Sequence, residues 1–78
     1  MIDIVHAAVE LRTTTMQQLQ EATAWTWASR AAAAYQFYRS SNHLQWLLDA
    51  EEYAHEAIEH AALAGVLPAV QAALAPYR

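Results

Sequence analysis

The chain has 78 residues, a formal net charge of -4, no cysteine and no lysine, so that Arg12, Arg30, Arg39 and Arg78 are its only fixed cations. These facts exclude disulfide stapling, thiolate zinc sites, Schiff-base chemistry and a basic nucleic-acid-binding surface, since phosphate neutralisation needs clustered Lys and Arg. Hydrophobic residues make up 56% and charged residues 15%; a chain this short buries only about 60% of its unfolded surface, so the apolar excess calls for a partner.

The opening segment MIDIVHAAVELR places Asp3 and Glu10 where a signal peptide carries basic residues, and His6 interrupts its apolar run. No stretch approaches the roughly 20 uncharged apolar residues of a membrane span. A soluble cytoplasmic protein with no membrane partner is the expectation. Alanine, the best helix former, recurs throughout, and no run alternates with period 2. The expected fold is therefore all-α, one helical domain over 1–78.

In chain order, a helix over about 3–12 comes first. Thr13-Thr14-Thr15 breaks it, because β-branched side chains lose rotamer freedom in a helix. Thr15 with Gln18 makes a capping-box pattern that starts a second helix, about 16–39. The alternative is one long helix running through the threonines. Ser40-Ser41-Asn42 is a turn, with Asn42 as N-cap and Gln45 placed to reach back to it. A third helix covers about 43–64. Gly65 suits the left-handed position after it, and Pro68 the first turn of a short tail helix, about 68–75. The two long arms make an antiparallel αα-hairpin, with the N-terminal helical segment and the tail packed on or beside it.

Helical positions advance by about 100° per residue. In the second arm Leu44, Leu47, Ala50, Ala54, Ala57, Ile58 and Ala61 share one stripe, small enough for close approach. In the first, Met16, Leu19, Thr23, Trp27, Ala34 and Phe37 share a broad face that includes Arg30. A turn at 40–42 pairs residues whose numbers sum to about 83, which sets Arg30 near Glu51 for an ion pair; the alternative lays the Arg30 stem over apolar surface with its head in water. Trp25 and Trp27 lie about 200° apart, so one face cannot bury both; the leading helix or another chain must cover Trp25. With Trp46, Tyr35, Tyr38 and Tyr53 also aromatic, the economical assembly is a homodimeric helical bundle whose interface draws on these six residues.

Chemistry is thinly represented. Glu52-Tyr53-Ala54-His55 is a Glu-x-x-His pattern, and with Glu21 it resembles half of a ferritin-like or rubrerythrin-like di-metal site. The resemblance covers those three positions and implies a carboxylate-bridged metal pair held by Glu52 and His55. Pairing argues otherwise: Glu21 falls opposite Ala62, and Glu52 faces away from the alanine stripe, so such a site needs a second chain. Trp46, Ala50, Tyr53, Ala62, Val66 and Ala69 match the residue types of a tetratricopeptide repeat, yet AHEAIEHAALA lacks the turn that repeat requires near 57–59. No glycine-flanked serine elbow or phosphate loop is present. Asp49, Glu52, Glu56 and Glu59 form an acidic ridge, the wet side of an amphipathic helix. The four histidines His6, His43, His55 and His60 are of the one residue type whose unperturbed charge change falls between pH 5 and 8, and their scatter over the surface reads as incidental.

The expectation is a non-catalytic, acidic, self-associating interaction module without cofactor or metal. The alternative is a small inhibitor or immunity-type protein whose ridge occupies a basic site on a target protein, one meant for nucleic acid included. A di-metal carboxylate bundle assembled across a dimer is the third reading.

Overall fold

The structure, a computed structural model, describes the backbone from Ile4 onward and side chains from Thr15 onward. The expected helix start at residue 3, and the side chains of Asp3, His6, Glu10 and Arg12, lie outside the described residues. Within them the protein is all-α: α1 (Ile4–Ser41), α2 (Leu44–Ala64), α3 (Leu67–Leu74) and a closing 3-10 turn, Ala75–Tyr77.

The break at Thr13–Thr15 does not occur, and α1 runs through it for 38 residues. Each threonine costs a helix at most about 0.7 kcal/mol relative to alanine, a weak preference that helix continuity overrides. Further along α1, Thr23 and Thr26 donate their hydroxyls to the carbonyls of Leu19 and Ala22, both at 2.9 Å, and stay within the helix. At 1.5 Å per residue α1 is about 57 Å long and the 21-residue α2 about 32 Å. The excess of α1 lies at its N-terminal side, and the molecule measures 63 × 18 × 13 Å. Its radius of gyration, 16.5 Å, exceeds the roughly 11–12 Å of a compact chain of this length.

The turn differs from expectation in one detail. Asn42 does not cap α2; it ends α1, with φ 58° and its N–H donating to the Tyr38 carbonyl at 2.7 Å. Asn tolerates this left-handed conformation because its short polar side chain bonds locally. His43 then takes the extended N-cap position of α2 without a side-chain cap bond. Gly65 does what its position suggests. Its φ is 74°, its N–H reaches the Ala62 carbonyl at 3.3 Å, and Val66 N–H reaches the Ala61 carbonyl at 2.9 Å, the pair of bonds of a Schellman ending.

The core is made of methyl groups. Ala24, Ala28, Ala31 and Tyr35 of α1 face Ala50, Ala54, Ala57, Ala61 and Ala64 of α2, and all are buried. Both sets step by alternating fours and threes, the spacing of a continuous helical seam. Alanine at every step but Tyr35 lets the axes approach to the short end of the usual 8–10 Å. The α2 stripe is as expected for its alanines and Leu47, but Leu44 is exposed. The face expected for α1 is rotated away from this seam: Met16, Leu19 and Phe37 are exposed, Trp27 is half-buried, and only Ala34 is buried. Alanine won the seam because close packing along a long hairpin favours small side chains on both helices, and larger ones were pushed to its edges.

The larger buried residues belong to α3. Val70 and Leu74 are the largest fully buried side chains, and α3 touches both arms. Val66, Leu67 and Tyr77 pack around them. This tail closes one of the two grooves between α1 and α2. Trp25, Ala28, Ser29 and Ala32 line a hollow of about 160 Å³ there together with Ala73, Leu74 and Tyr77, so Trp25 is flanked by the tail and not by a leading helix.

Candidate interaction surface

The groove closed by α3 is pinned at its edge by a polar cluster. Tyr35, 3% exposed, donates its hydroxyl to Glu51 Oε1 at 2.5 Å. The other carboxylate oxygen of Glu51 accepts from Arg78 at 3.3 Å. Burial, reinforced by the Glu51 carboxylate, pushes the Tyr35 phenol up to about 12. The expected Arg30–Glu51 pair is therefore absent: Glu51 lies toward the tail, while the Arg30 guanidinium stacks over the Trp27 ring at 5.2 Å, a cation–π contact. Arg39, on the same side as Tyr35, donates to the Pro76 carbonyl at 3.2 Å.

The opposite groove has no covering element among the described residues. Along it, Phe37 stacks on Trp46 with ring centroids 4.8 Å apart, and Trp27 on Tyr53 at 5.6 Å. Farther from the turn His60 Nδ1 meets Gln20 Oε1 at 2.6 Å, a contact that needs the ring proton on Nδ1. At the far end Met16, Gln17, Gln20 and Leu63 line a hollow of about 350 Å³. Gln17 also donates to the Ala64 carbonyl at 3.0 Å. Near the turn the pair Phe37–Trp46 keeps the expected sum of 83, and farther from it the sums fall to about 80, as for Trp27–Tyr53 and Gln20–His60.

Two sets of positions build this surface, and both have seam spacing. On α1 they are Met16, Gln20, Thr23, Trp27, Arg30, Ala34 and Phe37; on α2 they are Trp46, Asp49, Tyr53, Glu56, His60 and Leu63. Each steps by threes and fours, so each side lies along one face of its helix. The ends are apolar and open: Met16 is 59% exposed, Phe37 52%, Trp46 38% and Leu63 71%. The middle carries Arg30 on α1 and Asp49, Glu56 and His60 on α2. The heptad spacing of the α2 set is visible in the sequence beside the alanine stripe.

The six expected interface aromatics divide accordingly. Trp27, Trp46 and Tyr53 line the open groove, and Trp25 lies on the tail side. Tyr35 is in the core and not at a surface; Tyr38 is half-buried. The acidic ridge is a set of local pairs. Asp49 accepts from Gln45 at 2.8 Å, Glu59 meets His55 at 3.1 Å, and Glu56 lies 3.8 Å from His60. Each such i,i+4 pair is worth only tenths of a kcal/mol, those with histidine only when it is protonated.

Glu52 and His55 are both exposed, and His55 is turned to Glu59. Among the described residues no group of three or more His, Asp or Glu side chains is placed to hold a metal ion, and no helix is long and apolar enough to cross a membrane. No family model matches the chain, and no similar protein is found among curated proteins or solved structures.

Proposed function

We propose that this protein is a non-catalytic helical interaction module that works by self-association. The observation that carries the reading is the unequal treatment of its two grooves. One is filled by α3 with buried Val70 and Leu74. The other presents Met16, Phe37, Trp46 and Leu63 to water beside the Trp27–Tyr53 pair. Aromatic residues of this kind are the usual anchors of protein interfaces, and a two-arm hairpin with one open groove becomes a four-helix bundle by pairing with its like.

The alternative, an acidic inhibitor docking through Asp49, Glu52, Glu56 and Glu59, draws less support. Three of the four carboxylates are engaged along their own helix, and two of them, Asp49 and Glu56, border the open groove. Sedimentation equilibrium between about 1 and 100 µM separates the readings. A mass of two chains of 8.7 kDa each is expected; a single-chain mass across the range would defeat the proposal.

A further inference from the structure

The open groove specifies how two copies meet. Resting on the self-association reading, we infer that a second copy of this chain docks on the groove, face to face, about a twofold axis running along the hairpin, so that both turns lie at the same end.

The argument is one of complementarity at matched heights. Along the hairpin Phe37 and Trp46 stand at one level near the turn, as their stacking shows. Arg30 stands at the level of Ala50, beside Asp49, by the register of the Trp27–Tyr53 and Gln20–His60 contacts, whose numbers each sum to 80. Met16 and Leu63 share the far end. A twofold axis along the hairpin sets α1 of one copy against α2 of the other at equal height. Phe37 then meets the second copy's Trp46, Met16 meets its Leu63, and Arg30 faces its Asp49. Each contact occurs twice, as an isologous interface demands.

A twofold axis across the hairpin pairs α1 with α1 and α2 with α2. It sets the acidic α2 positions of both copies against each other and leaves Arg30 facing the second Arg30 helix. Like charges in a desolvated interface are strongly disfavoured, which selects the first arrangement. The size is adequate as well. The face spans residues 16 to 37, about 32 Å at helical rise, and the molecule is 18 Å wide. That amounts to roughly 1,100 Å² over both copies, just above the ~1,000 Å² of a specific interface.

Two experiments test the inference, and the absence of native cysteine keeps labelling clean. A spin label at Ser40→Cys, beside the turn, gives an intermolecular distance below about 30 Å if the turns coincide, and about 40 Å or more if they lie at opposite ends. A dimer mass with the long distance overturns the inference and leaves self-association standing; a monomer mass overturns both. The second experiment uses Arg30→Glu and Asp49→Arg as separate proteins. Each places like charges across its own interface, so each self-associates at least about tenfold more weakly than the parent chain. Mixed, they restore both opposite-charge contacts and form a heterodimer. A pairing within one chain cannot produce that rescue, so mixed variants that fail to associate, or single variants that associate normally, overturn the assignment.

Discussion

Replacing Tyr35 with Phe tests the polar cluster that fastens the tail, and its effect has a distinctive pH dependence. The hydroxyl donates at 2.5 Å to a carboxylate while the ring is 3% exposed. Hydrogen bonds to charged groups are worth about 1.5–3 kcal/mol. Glu51 keeps Arg78 and is half in water, so the low end applies and Tyr35→Phe is expected to lose about 1–1.5 kcal/mol at pH 7. The folded phenol titrates at about 12 against 10.0 for the free side chain. A raised value stabilises the fold fully below pH 10, and the gain is lost as pH rises from 10 to 12. Two units correspond to about 2.7 kcal/mol in total, and by pH 11 about 1.4 kcal/mol of it is gone. The phenylalanine variant has no such loss, and the other tyrosines cancel between the two proteins. Urea unfolding followed by circular dichroism, at fixed protein concentration and at pH 7, 9, 10 and 11, should show the two proteins converging by pH 11. A gap that stays constant with pH, or no gap at pH 7, would refute the buried Tyr35–Glu51 bond.

Four further substitutions probe the packing. Ala57→Leu adds a bulky side chain to the closed alanine seam, where the native residue is 0% exposed, and should cost about 1–3 kcal/mol or more in urea unfolding; Ala62→Leu, on the exposed side of the same helix, should stay within about 0.5 kcal/mol. Leu74→Ala removes one of the two largest fully buried side chains and should cost about 2–5 kcal/mol, with the Trp25 fluorescence changing as the tail loosens. A Cβ at Gly65 meets nothing within 4 Å, yet Gly65→Ala should lower stability by about 1 kcal/mol, because φ 74° is strained for any side chain; an unchanged midpoint would mean that α2 does not end in this way.

Much of the fold can be read from residue types because local signals agree. Gly65 and Pro68 mark the second chain reversal, Ser40–Asn42 marks the first, and the α2 alanines advertise a seam through regular spacing. What misleads is size. Reading apolar bulk as core assigns Met16, Leu19 and Phe37 to the inside, whereas the tight hairpin, Tyr35 apart, admits methyl groups and leaves bulk at the rims. Pairing by register places Arg30 against Glu51; the guanidinium finds Trp27 three residues back on its own helix, and Glu51 finds a tail whose position no local pattern encodes. The threonines at 13–15 show the limit of propensity, since tenths of a kcal/mol per residue do not stop a long helix. The open groove was legible in part: Trp46, Tyr53 and His60 recur every seven residues, and only the packing of α3 on the other side shows that this second seam is the uncovered one.

Hydroxyl-radical footprinting as a function of protein concentration tests the central claim most directly. If the open groove is the surface on which copies meet, Phe37, Trp46, Met16 and Leu63 become protected together as concentration rises through the association range. Leu44 and Leu48, comparably exposed on another face, keep the same reactivity throughout. Protection that falls on Leu44 and Leu48 instead, or reactivity at Phe37 and Trp46 that does not respond to concentration, would contradict the account.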